Sequence, residues 1–488
     1  MTAVLLISLS LLFLWTAFRS AAVDPADWNV TLLGLAVLAL STSLRKRTPP
    51  LPPAIAWPLL LLPAWCLFQL APLPAAVVNW ISPSRGALAS ALHGLAPASS
   101  FLPLSVAPSA TLIDWLRVAG AVLVFLIVRE LAWRCSDNDA PWIVVLPLLS
   151  VACLEAALGL IQSYTGASGS MGAHGTYASR DHFAGLLEMA LPFPVMCGIA
   201  ALWRGRRRFS SPLRPALIAC LSFAAGALLL LGAIHSLSRM GFIASLFALG
   251  VLGASAVRRK IWLLAVPFAG LLLFLFLPPG VLIMRFADLA SADQIAAQDR
   301  VEVWRETIPL IRAYSITGCG LGAYESAFMP FKRKTPMLTD SYAHNDYLQY
   351  LAELGLPGFV LLAWLLAAIV LQTVRAASLH AAPPGRALAL ACLASMLALF
   401  LHSLVDFNSY VPANIFAFAW VAALGCSGIF APKLSGGAGG LVIDVSPGQL
   451  KGSSFWSSDI QDTLGMRLPG AAGHDGDANF PGTAPRHG

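Results

Sequence analysis

The amino-acid sequence predicts an all-α polytopic integral membrane protein, with about twelve transmembrane helices and a large outer loop that contains an amphipathic helix. Its 488 residues are 58% hydrophobic and only 11% charged, whereas soluble proteins carry about 25% charged residues. Apolar runs long enough to cross a bilayer recur along most of the chain. The basic residues are spread over short loops between these runs, which is the pattern of membrane topology. We therefore expect membrane lipids, and no nucleic acid, around this chain.

Twelve apolar segments have the length and composition of membrane-spanning helices. They are residues 2–18, 28–44, 54–70, 112–133, 141–163, 182–203, 214–234, 240–257, 261–284, 346–374, 387–407 and 412–431. The third is short and rich in proline. The first lacks preceding basic residues, so we expect a retained span and not a cleaved signal peptide.

Arginine and lysine are concentrated in one set of alternate loops, which includes residues 45–47, 204–208 and 258–260. The opposite short loops carry few basic residues. By the positive-inside rule, the basic set lies in the cytoplasm. Both termini are then cytoplasmic, and the long segments 71–110 and 285–345 lie outside.

Three regions are predicted. Residues 1–140 form the first spans with the outer loop near 71–110, and residues 141–432 form a transmembrane core that includes the outer loop 285–345. Within that loop, Ile295, Val301, Trp304, Ile308 and Ile311 recur at helical spacing, which predicts an amphipathic helix along the membrane surface. Residues 433–488 are rich in Gly, Ser, Pro and Asp and are predicted to be a disordered cytoplasmic tail.

The sequence gives no sign of a metal or cofactor site. The eight cysteines form no Cys-x-x-Cys pair and no zinc-ligand spacing. No glycine-rich phosphate loop followed by Lys-Ser or Lys-Thr is present, so an ATPase is not indicated. We expect chemistry without a metal or a cofactor.

Four polar clusters fall at the predicted outer ends of the spans. They are residues 174–185 (HGTYASRDHFAG), 236–241 (SLSRMG), 299–305 (DRVEVWR) with the glycine-rich 318–322 (GCGLG) after it, and 343–358 (AHNDYLQYLAELGLPG). Guanidinium groups bind phosphate oxygens in bidentate fashion and remain charged at any relevant pH. Fixed cations stabilise a diphosphate leaving group as its bond breaks, and a histidine can take the proton of an acceptor hydroxyl. The clusters therefore favour chemistry on a phosphate-bearing lipid.

The order of these clusters resembles the O-antigen ligase and polymerase superfamily of bacterial inner-membrane glycan transferases. The matching patterns are Arg-x-His-Phe-Ala-Gly at 180–185, Ser-Arg-x-Gly at 238–241, Arg-x-x-x-Trp at 300–304, Gly-x-Gly-x-Gly at 318–322 and His-Asn-x-Tyr-Leu with Glu-Leu-Gly at 344–355. The resemblance covers roughly residues 150–430. Asp181 and Met240 depart from the residues expected at their positions, and these departures bear on the geometry of the donor site.

The resemblance implies a periplasmic active site in the inner membrane, an undecaprenyl-diphosphate-linked glycan as donor, and a glycan or lipid A core sugar as acceptor. It implies that His344 is the general base and that Arg239 and Arg300 bind the diphosphate, with Arg180 as a supporting cation. Further supporting candidates are His182, Asn345, His402 and Asp406. We expect His402 and Asp406 to share one helix face, because they lie four residues apart. Glu188 and His235 are weaker candidates, and Arg305 and Arg312 are expected to be solvated or to face lipid.

Several functions remain open at this point. Ligase, repeat-unit polymerase and protein O-oligosaccharyltransferase differ in their acceptor, which these motifs do not specify. A lipid or polysaccharide transporter would be expected to carry charges deep within its spans and to have pseudo-symmetric halves, whereas charge here collects at outer ends. An intramembrane protease would rest on Ser403 beside His402 alone, without a nucleophile-elbow motif.

Overall fold

The computed structural model describes residues 2–43, 48–92, 100–135, 141–167, 169, 172–207, 213–256, 293–333, 341–379 and 383–427. Most of these residues are helical, which confirms the all-α class. The predicted span 261–284 and the predicted tail 433–488 lie outside the described residues. The other predicted spans overlap described helices. The span 182–203 covers two of them, Arg180–Ala190 and Pro192–Arg207, and the span 387–407 extends beyond a helix that ends at His402.

The first part of the chain forms helices that pack side by side, with a segment of short helices and strands between the third and the sixth. The elements are α1 (Thr2–Phe18), α2 (Pro25–Ser43), α3 (Pro53–Leu70), β1 (Leu73–Pro74), α4 (Ala75–Ile81), α5 (Pro83–Ala91), β2 (Phe101–Leu102) and α6 (Pro108–Cys135). The two short strands pair antiparallel and join the ends of this segment. Proline begins several of these helices, because the first helical position needs no hydrogen-bonded N–H.

The second part of the chain supplies the remaining helices. They are α7 (Leu146–Thr165), α8 (Arg180–Ala190), α9 (Pro192–Arg207), α10 (Leu213–His235), α11 (Arg239–Ala256), α12 (Asp293–Ala313), α13 (Tyr324–Phe328), α14 (Asp346–Leu379), α15 (Pro383–His402) and α16 (Pro412–Cys426). Short 3₁₀ turns occur at Ser20–Ala22, Pro141–Val144, Met329–Phe331 and Asn408–Tyr410. The predicted amphipathic helix is thus present as α12, and its position relative to the membrane stays a prediction.

Among the described residues, 7 helical segments are long and apolar enough to cross a membrane. They are Pro53–Leu70, Pro108–Cys135, Trp142–Thr165, Arg180–Trp203, Leu213–His235, Asp346–Ser378 and Pro384–His402. Shorter apolar helices lie at Thr2–Phe18, Arg239–Ser255 and Pro412–Cys426. These lengths and compositions support a polytopic membrane protein, while the count of twelve spans stays a prediction.

Helix α8 lies in the interior of the bundle, where it packs against α7, α10, α11, α15 and α16. Its residues from His182 to Ala190 are all buried. Ser179 precedes the helix as its N-cap, and its hydroxyl accepts a hydrogen bond from the N–H of Asp181 at 3.2 Å. The cap places Arg180 and Asp181 in the first turn, at the predicted outer end.

Helix α14 is interrupted at Gly355, which has φ +64°. The interruption lets the N–H of Leu356 donate to the carbonyl of Ser315 at 2.8 Å, so the helix is joined to the glycine-rich loop. That loop binds Glu353 through the N–H of Gly322 at 2.8 Å. The glycine stretch is therefore a tight turn, and its amide groups bind a carboxylate of the same protein.

We predict that Gly355→Ala destabilises the protein. An L residue in the left-handed region costs about 1–2 kcal/mol, and a Cβ here would lie 2.6 Å from the carbonyl oxygen of Ile316. The melting temperature in detergent should fall by several degrees.

Gly250→Ala is the matched control. Gly250 lies within α11, and no atom would lie within 4 Å of its added Cβ. Alanine favours a helix by up to about 1 kcal/mol over glycine, so the melting temperature should stay the same or rise. Equal destabilisation by both substitutions would contradict the assignment.

Candidate functional site

The three arginines that the sequence analysis assigned to diphosphate binding line one cavity of ≈ 340 Å³. Arg180 begins α8, Arg239 begins α11, and Arg300 lies in α12. Two of these cations therefore stand at helix N-termini, where the helix dipole also favours an anion. His402 and Asp406 line the same cavity. Residues far apart in the sequence thus form one cationic site.

The cavity also has an apolar wall. Leu237, Met240, Ile243, Val301 and Trp304 line it beside the arginines. Asp181 lines it as well, so both departures from the family pattern, Asp181 and Met240, fall in the wall of this cavity. An amphipathic molecule with an anionic group matches this mixture of charge and apolar surface.

The turn before Arg239 is built from serine hydrogen bonds. The Ser236 hydroxyl donates to the carbonyl of Ala233 at 2.6 Å and accepts from the N–H of Ser238 at 3.1 Å. The Ser238 hydroxyl accepts from the N–H of Gly241 at 3.1 Å and so caps α11. Between the serines, Leu237 has φ +59°, which is uncommon for a branched residue. This tight turn brings Arg239 to the cavity.

His344 lies in the loop before α14, with φ +49°. The backbone on both sides of it is fixed by hydrogen bonds. The indole N–H of Trp304 donates to the carbonyl of Ala343 at 2.9 Å, and the N–H of Asp346 donates to the carbonyl of Ser403 at 3.0 Å. Left-handed backbone in a non-glycine residue persists only where the surroundings impose it, and such residues cluster at functional sites.

Asn345 joins this loop to the end of α15. Its amide N–H donates to the carbonyl of Leu404 at 2.9 Å, and its Oδ1 accepts from the N–H of Leu348 at 3.0 Å. The second bond caps the start of α14. Both contacts are internal, which favours a role for Asn345 in holding the loop next to His344.

Asp406 is faced by three histidines. Its Oδ1 lies 3.6 Å from Nδ1 of His344 and 3.8 Å from Nε2 of His182, and its Oδ2 lies 3.8 Å from Nε2 of His402. These distances are longer than hydrogen bonds, so each ring faces the carboxylate at ion-pair distance without a hydrogen bond to it. The structure thereby brings together four of the predicted site residues from separate parts of the chain.

An aromatic ring supports two of these histidines. The Phe407 ring lies edge-on to His344, with centroids 5.1 Å apart, and edge-on to His182, with centroids 4.6 Å apart. Tyr342 stacks on Phe407 at 3.9 Å. The two imidazoles are consequently held between a carboxylate and an aromatic side chain.

The three histidines differ in exposure. The side chain of His344 is 38% exposed, that of His182 10% and that of His402 1%. In His344, the Nδ1 atom is buried toward Asp406. The opposite edge of the ring, which carries Nε2, is therefore available to a substrate.

Burial alone would raise the pKa of the Asp406 carboxyl, but the imidazoles of His182, His344 and His402 together hold it well below its usual range. Asp406 is thus an anion at neutral pH. A carboxylate facing Nδ1 of a histidine stabilises the tautomer with the proton on Nδ1, which leaves Nε2 free to accept a proton.

The expectation that His402 and Asp406 share a helix face is wrong. Helix α15 ends at His402, and Asp406 lies beyond it in a turn. The Ser403 hydroxyl donates to Asp346 at 2.6 Å, and the N–H of Val405 donates to the carbonyl of His402 at 3.0 Å. These bonds bend the chain so that Asp406 turns back toward His402.

Glu188 lies next to this site, although its sequence context gave it little weight. Its carboxylate lies 2.9 Å from Nδ1 of His402. Phe407 carried no sequence signal at all. Arg305, in contrast, is 73% exposed and lies 3.7 Å from Glu302, which agrees with the expectation that it is solvated.

Comparison with known protein families gives a match over part of the sequence. The family model for O-antigen ligase matches residues 224–363, which include Arg239, Arg300, His344 and Asn345. This match confirms the resemblance to the O-antigen ligase-like superfamily. Among curated proteins, no sequence matches the chain.

We predict that Asp406 stabilises the folded protein at neutral pH and that this stabilisation is lost at acid pH. Because the pKa of Asp406 is lowered in the folded protein, its contribution is present above the unfolded pKa of about 3.9 and is lost as the pH falls through the folded pKa. Asp406→Asn should therefore melt at a lower temperature than the unchanged protein. On the acid side, the difference should shrink only below about pH 4. A difference that disappears already near pH 6 would contradict this assignment.

Proposed function

We propose that this chain, which carries an O-antigen ligase domain at residues 224–363, is a glycosyltransferase of the bacterial inner membrane. It would move a glycan from an undecaprenyl-diphosphate carrier to an acceptor hydroxyl at the periplasmic face, in lipopolysaccharide or exopolysaccharide synthesis. The observation that supports this most is the convergence of Arg180, Arg239 and Arg300 on one cavity, with the His344–Asp406 pair beside it.

The cationic cavity fits the donor. Arg180, Arg239 and Arg300 supply positive charge for the two phosphates, and the helix N-termini add to it. The apolar side chains of Leu237, Ile243 and Val301 fit the first units of an isoprenoid chain. Negative charge grows on the diphosphate as the glycosidic bond breaks, so these cations stabilise the transition state more than the bound donor. They supply the charge that a divalent cation supplies in other phosphate sites.

His344 acts on the acceptor. Its Nε2 takes the proton of the acceptor hydroxyl while the oxygen bonds to the anomeric carbon. The bond from that carbon to the diphosphate breaks, and its electron pair leaves with the phosphate oxygen. By resemblance to the superfamily, attack comes from the face opposite the diphosphate and inverts the anomeric centre. Asp406 stabilises the imidazolium that forms.

Three different acceptors are compatible with this function. A lipid A core sugar makes the protein a ligase, another repeat unit makes it a polymerase, and a serine or threonine makes it a protein O-oligosaccharyltransferase. A transporter of lipid-linked glycan is the alternative of a different class. We place ligation first, because the matched family is that of O-antigen ligase.

We predict that His344→Ala and Arg239→Ala both abolish transfer. The first removes the base, typically worth about 10²–10⁴-fold, and the second removes a cation at the leaving group, worth about 10²–10³-fold at comparable sites. Both variants are expressed in a strain that lacks the native gene. Lipid-linked and transferred glycans are then measured in the same cells, with membrane levels of each variant checked by immunoblotting.

Accumulation of lipid-linked donor with loss of transferred glycan is the expected result. Long stalled chains identify a ligase, single repeat units identify a polymerase, and a glycan missing from protein identifies the third acceptor. Normal transfer in both variants would overturn the proposal. Failure of the lipid-linked glycan to reach the periplasm would favour the transporter.

We predict that Arg300→Ala lowers transfer about tenfold or more, because a hydrogen bond to a charged group contributes about 1.5–3 kcal/mol. Arg305→Ala is the matched control on the same helix, since Arg305 is largely exposed and does not line the cavity. It should change the rate less than twofold, in line with the small value of surface ion pairs. Rates are measured with purified protein and lipid-linked donor. Equal losses in both variants would remove Arg300 from the donor site.

A further inference from the structure

Behind Asp406, two buried ionisable groups connect α8 with α15. Glu188 has no exposed surface, and the side chain of His402 is 1% exposed. The Nδ1 atom of His402 lies 2.9 and 3.1 Å from the two carboxylate oxygens of Glu188. An ionisable pair inside a candidate membrane span is costly to bury, and such pairs commonly have a function.

The other side of the His402 ring faces Asp406. Nε2 of His402 and Oδ2 of Asp406 lie 3.8 Å apart, and both atoms are buried without a hydrogen-bond partner among the described residues. A row of side chains therefore runs from Glu188 through His402 and Asp406 to His344, with a hydrogen bond at Glu188 and two longer contacts of 3.8 and 3.6 Å at Asp406. Its inner end is wholly buried, and its outer end is the exposed ring beside the cavity.

The geometry places His402 between two carboxylates. A neutral imidazole has one N–H and can donate to only one of them, whereas an imidazolium donates from both nitrogens. Two buried carboxylates without a cation between them would repel each other and lack compensation for burial. The imidazolium form donates a hydrogen bond to Glu188 and, at 3.8 Å, attracts Asp406 by its charge.

Other charged or titratable groups around these side chains come from α8, α11, α12, the loop before α14 and the start of α14. They are Asp181 and His182 on α8, His344 in the loop, the buried Asp346 at the start of α14, and the cavity arginines Arg180, Arg239 and Arg300. Among these, His182 and His344 are the groups that face Asp406 directly. The cavity arginines face the substrate region and are themselves expected to bind the donor phosphates.

We propose that Glu188 and His402 are positioning residues of the transfer reaction, in which Glu188 holds His402 as an imidazolium and His402 in turn holds the Asp406 carboxylate against His344. This inference rests on the proposed function for its catalytic consequence. The geometry of the pair itself does not depend on it.

The net charge of these four side chains explains why they would assist proton transfer. Glu188, His402 and Asp406 together carry one net negative charge when His344 is neutral. When Nε2 of His344 takes the hydroxyl proton, the four groups become neutral as a set. No further oxidant, reductant or proton donor is needed, and the proton leaves His344 to water after the product departs.

The first test measures the charge of His402 directly. Protein labelled with ¹⁵N-histidine is reconstituted in lipid, and imidazolium signals are recorded by solid-state NMR between about pH 6 and 9, a range that spans ordinary histidine titration. We expect an imidazolium signal that persists at pH 8 and is missing in His402→Gln. In Glu188→Gln, which keeps the shape of the side chain but removes its charge, this signal should disappear at a lower pH. Absence of any imidazolium at pH 8 in the unchanged protein would overturn the inference.

The second test measures transfer as a function of pH. Loss of the His402 cation leaves Asp406 with less compensation, so protonated His344 becomes more favourable. In His402→Gln, the acid-side pH of half-maximal kcat/KM should therefore rise by about one unit. A residue with a merely structural role would lower the amount of folded protein without moving this pH. An unchanged pH of half-maximal activity would overturn the positioning role.

Ser395→Ala is the matched control. The Ser395 hydroxyl donates to the carbonyl of Met189 at 2.7 Å, so it joins the same two helices without carrying charge. Its pH profile should equal that of the unchanged protein.

If His402→Gln does not fold, Glu188→Gln is used in both assays in its place. If His344→Ala retains transfer, the proposed function fails, whereas a normal pH profile in His402→Gln with inactive His344→Ala means that only the present inference fails.

Discussion

The geometry of the site depends on one buried anion, the carboxylate of Asp406. A buried charge is stable only where opposite charges or dipoles surround it. Here the imidazole of His182 comes from α8, that of His344 from the loop before α14, and that of His402 from the end of α15. No single helix could supply this arrangement. The packing of three separate elements is therefore the condition under which the candidate base acquires its orientation.

Close approach of the helices makes this packing possible, and small residues permit it. A Cβ at Gly185 would collide with the side chain of Asn408, and a Cβ at Gly241 would collide with Ala184. The Phe-Ala-Gly part of the α8 motif thus serves packing, while its Arg and His face the site. One short motif combines two physical requirements, which is why it stands out in the sequence.

Local features of the chain were predictable from the sequence. Hydropathy located the helices, and the serine turn and the arginine clusters stood out because their residues are adjacent. Contacts across the fold were not predictable in this way. Glu188 meets His402 across 214 positions, and Phe407 meets two histidines although no motif contains it. The supposed helix face of His402 and Asp406 failed because a tertiary hydrogen bond, from Ser403 to Asp346, forms beyond the end of the helix.

Helix α12 carries both Arg300, at the cavity, and Trp304, whose indole is bonded to the residue before His344. The two side chains lie one helical turn apart on the same helix. The cationic cavity and the loop that carries His344 are thus tied to one rigid element. A substitution that displaces α12 would disturb both parts of the site at once, even where it touches neither Arg300 nor His344.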